Sequence, residues 1–193
     1  MSALPQTKPV FDFDAYLAWE ADQAERHEFL AGEVFAMTGA RSTHNTIAGN
    51  LYVFLRQSLR GTPCRTHIEG VKVRVEAADA TFYPDVFVTC DPLDLTPERE
   101  QYKSAPRLVA EVLSDSTAAF DRGRKFEIYQ RLPSLQEYLL IEQDRVHVDL
   151  FRRNAEGLWV LHPAGPGDTV TLACLDGQGL PIEVFYEDTG LRV

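Results

Sequence analysis

Leu108-Val109-Ala110-Glu111-Val112-Leu113 is an apolar run with a single carboxylate in its middle. Six residues rich in Val and Leu, with Pro106 ahead and Ser114-Asp115-Ser116-Thr117 behind, predict a buried central strand. An unpaired charge in such a strand costs several kcal/mol, and protonation or a cation is the usual escape. Two partners suggest themselves for Glu111: a metal ion shared with Asp85, and the ammonium of Lys125. Asp85 ends Tyr83-Pro84-Asp85 and opens Val86-Phe87-Val88, where a proline fixes the backbone at a strand's start. Taken alone, Asp85 reads as a strand-entry residue serving a turn; Glu111 has no turn to serve. Downstream, Asp121, Lys125 and Tyr129 fall at i, i+4 and i+8 of a predicted helix and share a face. An Asp–Lys pair at that spacing is commonplace on helix surfaces and worth a few tenths of a kcal/mol. Following the Glu111 strand, however, the same helix can lay its lysine back over that strand.

Two carboxylates close in space bind Mg²⁺ or Mn²⁺ through hard oxygen ligands and leave positions open for water and phosphate. The metal lowers the pKa of a bound water and stabilises charge on a scissile phosphate, and a nearby ammonium neutralises what develops there. Asp85, Glu111 and Lys125 therefore suit metal-assisted phosphodiester hydrolysis. Two other classes use the same residues. In a catalytically silent scaffold, Glu111 and Lys125 form a structural ion pair and the surface binds a nucleic-acid or protein partner. In a metal-free hydrolase the paired carboxylates do acid–base work as in glycosidases, but only Tyr83 offers a stacking aromatic close by in sequence.

The elements that must position these residues alternate in type. Residues 1–10 carry two prolines and no period, and read as a loose tail; residues 11–193 read as a single domain. Phe11 to about Ala24 predicts a short amphipathic helix. His27–Leu30 and Val34–Met37 predict a hairpin turned at Gly32. Ser42 or Thr43 is placed to cap a long helix with Ile47, Leu51, Phe54, Leu55 and Leu59 on one face, stopped by Gly61 and Pro63. Strands are expected near Cys64–Ile68, Val71–Val75 and Tyr83–Val88, then a charged loop from Asp91 to Pro106. After the Glu111 strand a helix runs from Phe120 to Arg131, ended by Pro133. Strands at Tyr138–Ile141, Val146–Phe151, Leu158–His162 and Ile182–Phe185 complete the chain. The class is mixed, α/β with α+β additions: a central mixed sheet flanked by helices, with an N-terminal hairpin and C-terminal strands.

Composition narrows the setting. At 193 residues the chain suffices for one sizeable core. No apolar run approaches the roughly 20 residues of a membrane span and no signal pattern opens the chain, so the cytoplasm is expected. Cys64, Cys90 and Cys174 are odd in number and widely spaced, and read as separate thiols. A net charge of −10 repels a phosphate backbone, yet Arg41–Val75 carries six basic residues against one acid, and Asp121–Arg131 four against two. By charge alone these islands read as solvated helix faces. His44 at a helix start reads as a local hydrogen-bonding residue, and His27, His67, His147 and His162 show no ligand spacing.

Tyr83-Pro84-Asp85, Leu108-Val109-Ala110-Glu111-Val112-Leu113-Ser114, and Asp121-Arg122-Gly123-Arg124-Lys125 with Tyr129 together resemble the Uma-type restriction endonuclease family of the PD-(D/E)XK nuclease superfamily. Glu25-Arg26-His27-Glu28-Phe29-Leu30-Ala31-Gly32-Glu33 and the helix bearing His44 resemble its opening, so the likeness spans about residues 11 to 185. The resemblance implies a restriction-endonuclease-like core and an endonuclease acting on DNA with Mg²⁺ or Mn²⁺. By position, Asp85 matches the metal-binding Asp and Glu111 the second acidic ligand. Leu113 stands where the superfamily usually has its lysine, two residues after the Glu, and Lys125 on the next helix takes that role. Glu28 or Glu33 would supply a further acid, and His44 sits where the family often has a histidine. Cutting both strands with one small domain usually takes a two-fold pair, so a homodimer is expected.

Overall fold

The structure, a computed structural model, describes residues 11–37 and 39–191, so the expected tail over residues 1–10 lies outside it. Helix α1 (Phe13–Ala21) starts at Asp12, whose carboxylate accepts the Ala15 amide at 2.7 Å. The expected hairpin follows, β1 (His27–Leu30) with β2 (Glu33–Ala36), its second strand starting one residue earlier than read and its turn passing through Ala31 and Gly32, both at positive φ. Helix α2 (Ser42–Ser58) buries Ile47, Leu51 and Leu55 of the expected stripe with Ala48 beside them; Phe54 is half-buried and Leu59 is buried just past the helix end. Its cap is not Ser42 or Thr43. The helix begins after Arg41 with no side-chain cap, and Ser42 is already inside it, its carbonyl accepting the Thr46 hydroxyl at 3.0 Å.

Next come β3 (Arg65–Ile68), β4 (Lys72–Val75), β5 (Ala80–Phe82), β6 (Val86–Thr89), β7 (Tyr102–Lys103) and β8 (Pro106–Leu113). The predicted helix after β8 is three segments in line: α3 (Ala118–Phe120), a wide π-helical turn over Asp121–Lys125, and α4 (Phe126–Tyr129). Strands β9 (Glu137–Glu142), β10 (Val148–Arg153), β11 (Trp159–Ala164), β12 (Thr169–Thr171) and β13 (Gly179–Pro181) complete the β structure. Six strands form the central sheet in the order β11-β10-β9-β8-β6-β3; β8 and β9 run parallel and the remaining pairs antiparallel. A second sheet, β2-β1-β5-β4-β7, carries the N-terminal hairpin.

Alternation along β8 divides the core. Leu108, Ala110 and Val112 face α2 and the C-terminal segment. Val109 and Leu113 face Phe126, Ile128 and Tyr129 with Phe82 of the second sheet. Glu111 shares the parity of Val109 and Leu113, so it points to the side where the π-turn lies.

Three expectations are corrected. Ile182–Phe185 is not a strand but part of a 3₁₀ turn, Ile182–Tyr186, with Ile182, Phe185 and Tyr186 buried at i, i+3 and i+4. A short apolar run alone does not distinguish these geometries. Cys64 and Cys90 are not separate thiols: they form a disulfide. Arg65 pairs with Thr89 across β3 and β6, which brings the flanking cysteines together. A reducing cytoplasm does not normally keep such a bond, which sets this feature against the cytoplasmic expectation. Cys174 is the free thiol expected, and it is buried, which pushes it up to about 12. The charged loop is held by a buried acid. Asp94, fully buried within it, accepts from the Thr89 hydroxyl at 2.8 Å and the Ser104 and Ala105 amides at 2.8 and 2.9 Å. Among the described residues no helix is long and apolar enough to cross a membrane.

Candidate active site

Strand pairing brings the two sequence-predicted acids together. Val86 lies opposite Ala110 in the antiparallel β6–β8 pair, so the next pair along is Asp85 and Glu111. Asp85 stands just outside β6, and its backbone carbonyl accepts the Glu69 amide at 3.0 Å. Its Oδ2 accepts the Val112 amide at 2.7 Å and lies 3.3 Å from Nε2 of His44.

Lys125 lies over Glu111, as its helix position predicted. Its Nζ is 2.9 Å from Glu111 Oε1, 3.2 Å from Glu28 Oε1 and 3.4 Å from Asp121 Oδ1. The Tyr129 hydroxyl donates to the same Glu111 oxygen at 3.4 Å. Wide turns of this kind recur at functional sites; here one turn buries both an acid and a lysine, Asp121 and Lys125. The Phe82 ring, 5.5 Å from Nζ, closes the lysine's other side.

These groups line a cavity of about 650 Å³, walled also by Met37, Gly39, Ser114 and Phe120. The uncapped start of α2 contributes Arg41, His44 and Asn45, with no acidic residue in its first turn. Glu28 reaches the site from β1, and Tyr83 lines the cavity as well. Glu33 does not reach it: it is exposed at the hairpin turn and absent from the cavity wall. Sequence reasoning missed Glu69, which lines the cavity at φ 37°, in the tight turn where the chain leaves β3 of one sheet for β4 of the other. Glu69-Gly70 reads as a turn in the sequence, and nothing in it says which way that turn faces.

Three carboxylates, Glu28, Glu111 and Asp121, thus surround one ammonium, and a fourth, Asp85, lines the same cavity. Burial raises the Glu111 carboxyl; Lys125 pulls it down, but Asp121, Asp85 and Glu28 push it up again, leaving it well above its usual range. Burial works against charge on Lys125 too, yet Glu111, Glu28, Tyr129 and Asp121 together hold it firmly protonated. Burial lowers the His44 imidazole, and the hydrogen bond and charge of Asp85, with Glu69 and the Val112 carbonyl, more than offset this. The basic islands are partly matched in space: Arg122 meets Asp149 and Glu142 at 2.6 and 2.7 Å, and Arg41 lies 3.1 Å from Asp144.

The donor chemistry suits a hard divalent cation. Asp85 and Glu111 each commit one oxygen to the protein and leave the other with no partner among the described residues, and both line the cavity. Among the described residues no group of three or more His, Cys, Asp and Glu is arranged to hold a metal. A pair of acids completed by water and phosphate is the arrangement Mg²⁺ ordinarily accepts.

Residues 13–183 match the family model Uma2, described as "Putative restriction endonuclease". The chain belongs to the Uma2 family. Two cyanobacterial relatives from Synechocystis sp. accompany this Uma2 chain. The protein slr1290 is 35% identical over 178 residues, covering 92% of each chain. The protein sll1609 is 33% identical over 146 residues, covering 76% of this chain and 82% of its own. Both are described as uncharacterized. The crystal structure of a protein from Anabaena variabilis, described as "a putative nuclease belonging to DUF820", superposes with a TM-score of 0.75 at 15% identity, over 91% of this chain and 97% of that one. The Uma2 chain therefore has that protein's mixed α+β fold.

Proposed function

We propose that this Uma2 protein is a metal-dependent endonuclease hydrolysing DNA phosphodiester bonds. One observation carries the reading: Asp85 and Glu111, adjacent where β6 meets β8, line one cavity, each with an oxygen that has no partner among the described residues, beside a lysine shared by three acids. Such an excess of negative charge is costly on its own and is relieved by a divalent cation. A bound Mg²⁺ or Mn²⁺ would supply Lewis-acid stabilisation and a more acidic water. Asp85 and Glu111 would hold it. Lys125 keeps a positive charge beside Glu111 for the charge that develops on phosphate, and Glu28 and Asp121 fix the ammonium in place. The uncapped N-terminus of α2 offers backbone amides on the cavity wall, which suit an anionic substrate. A homodimer would present two such sites to the two strands of a duplex.

The test is nicking of supercoiled plasmid with Mg²⁺ or Mn²⁺, wild type beside Asp85→Asn. Metal-dependent nicking by the wild type, lost in the variant, is expected. A second reading rests on the Lys125 cluster itself, whose ion pairs also suit a catalytically silent scaffold. Wild-type protein that neither cuts nor binds Mn²⁺ across a wide concentration range decides for the scaffold.

A further inference from the structure

We infer that His44 is a positioning residue for Asp85, holding that carboxylate so that its free oxygen faces the cavity; this rests on the metal-site reading above. His44 lies on the inner stripe of α2 with Ile47, Ala48 and Leu51, and is only 9% exposed. A leucine would bury there at less cost, because a buried imidazole needs polar partners. The partner is Asp85. Nε2 of His44 and the amide of Val112 both address Oδ2, at 3.3 and 2.7 Å. The backbone is fixed too: Pro84 precedes Asp85, and the Asp85 carbonyl accepts the Glu69 amide at 3.0 Å. An amide donor and an imidazole, borne by different elements, meet at one oxygen, restrict the carboxylate's rotation and leave Oδ1 without a partner among the described residues. A ligand held this way loses little freedom when it binds a cation, and outer partners of metal ligands typically contribute about 10–100-fold in affinity. The other ring nitrogen of His44, Nδ1, is buried with no hydrogen-bond partner among the described residues, so Asp85 is the polar partner of this ring.

Two substitutions separate positioning from packing. His44→Leu keeps the buried volume and removes the donor. His44→Gln restores a side-chain N–H at about the reach of Nε2. Mn²⁺ titration, read by the paramagnetic resonance of the free ion, is expected to give affinity about 10–100-fold weaker for His44→Leu and within a few-fold of wild type for His44→Gln. Thermal unfolding of the metal-free proteins checks that all three are folded. Wild-type affinity in His44→Leu overturns the proposal, and so do equal losses in both variants, which would make the ring itself the active element. Should the wild type bind no Mn²⁺, the metal reading fails and the positioning claim is decided by crystal structures of wild type and His44→Leu. An Asp85 carboxylate turned away from the Val112 amide in the variant supports the claim; an unmoved carboxylate overturns it.

Discussion

Two glutamates buried in neighbouring strands of the same sheet have opposite surroundings. Glu137 on β9 is fully buried, and its register partner across the ladder is Leu108 of β8, three residues before Glu111. Each of its oxygens is spoken for: Oε1 by the Arg152 guanidinium at 2.9 Å, Oε2 by the Ala173 amide at 2.9 Å. One acid meets one base, and Glu137 does not line the cavity that Glu111 borders. Glu111 instead shares one lysine with two other acids, Glu28 and Asp121, and borders about 650 Å³ of open space. A closed, matched pair fixes β9, β10 and the segment after β12 to one another. An open, unmatched cluster stores unfavourable charge that a cation can relieve. Burial of a carboxylate is therefore weak evidence of function; the ratio of acids to bases around it, and whether space is left beside it, discriminates far better.

The largest effect should come from removing the one cation of the unmatched cluster. Lys125→Met strips Glu28, Glu111 and Asp121 of their counter-charge, and breaking a buried pair in this way costs about 3–5 kcal/mol. Urea unfolding at neutral pH measures it; a loss below about 1 kcal/mol would mean the cluster is wetter and better screened than its burial suggests. Glu137→Gln should cost less, about 1–3 kcal/mol. Arg152 keeps 30% of its side chain in water and can rehydrate, while the glutamine carbonyl still accepts from Ala173. Mn²⁺ affinity should be unchanged in Glu137→Gln. A change there would join the two glutamates into one system and dissolve the contrast.

The sequence made one side of this contrast visible and hid the other. Glu111 stood out because an acid among Val, Ala and Leu has no local purpose, and Lys125 because it follows at helical spacing; both signals are local. The hairpin at Ala31-Gly32 and the stripe of α2 were legible for the same reason. Glu137 was not, because it sits at the start of β9, where an acid is unremarkable, and its partner Arg152 is known only from the β9–β10 register. The Cys64–Cys90 bond, the approach of His44 to Asp85 and the inward turn at Glu69 likewise depend on which strands become neighbours. The terminal turn was misread as a strand because its packing against α2, where the Asn50 amide donates to the Phe185 and Glu187 carbonyls, leaves no trace in the local period.

The smallest effect is also the one that tests the contrast most finely. Glu111→Gln removes one of the three acids around Lys125 while Glu28 and Asp121 still hold it, so stability at neutral pH should stay within about 1 kcal/mol of wild type or rise. Its pH dependence carries the sign. The Glu111 carboxyl lies well above its usual value near 4.5 in the folded, metal-free protein. It therefore binds more protons folded than unfolded, and its contribution is fully present below about 4.5 and lost as pH rises through the folded value. Glutamine has no such loss. In EDTA, unfolding free energies between pH 4 and 8 should shift steadily in favour of Glu111→Gln relative to wild type. Glu137 is raised too, by burial, but Arg152 and the Ala173 amide pull it back, so Glu137→Gln should show the same sign with a shallower slope. Equal slopes would mean that Glu111 is as well matched as Glu137. The charge imbalance that favours a metal would then be absent.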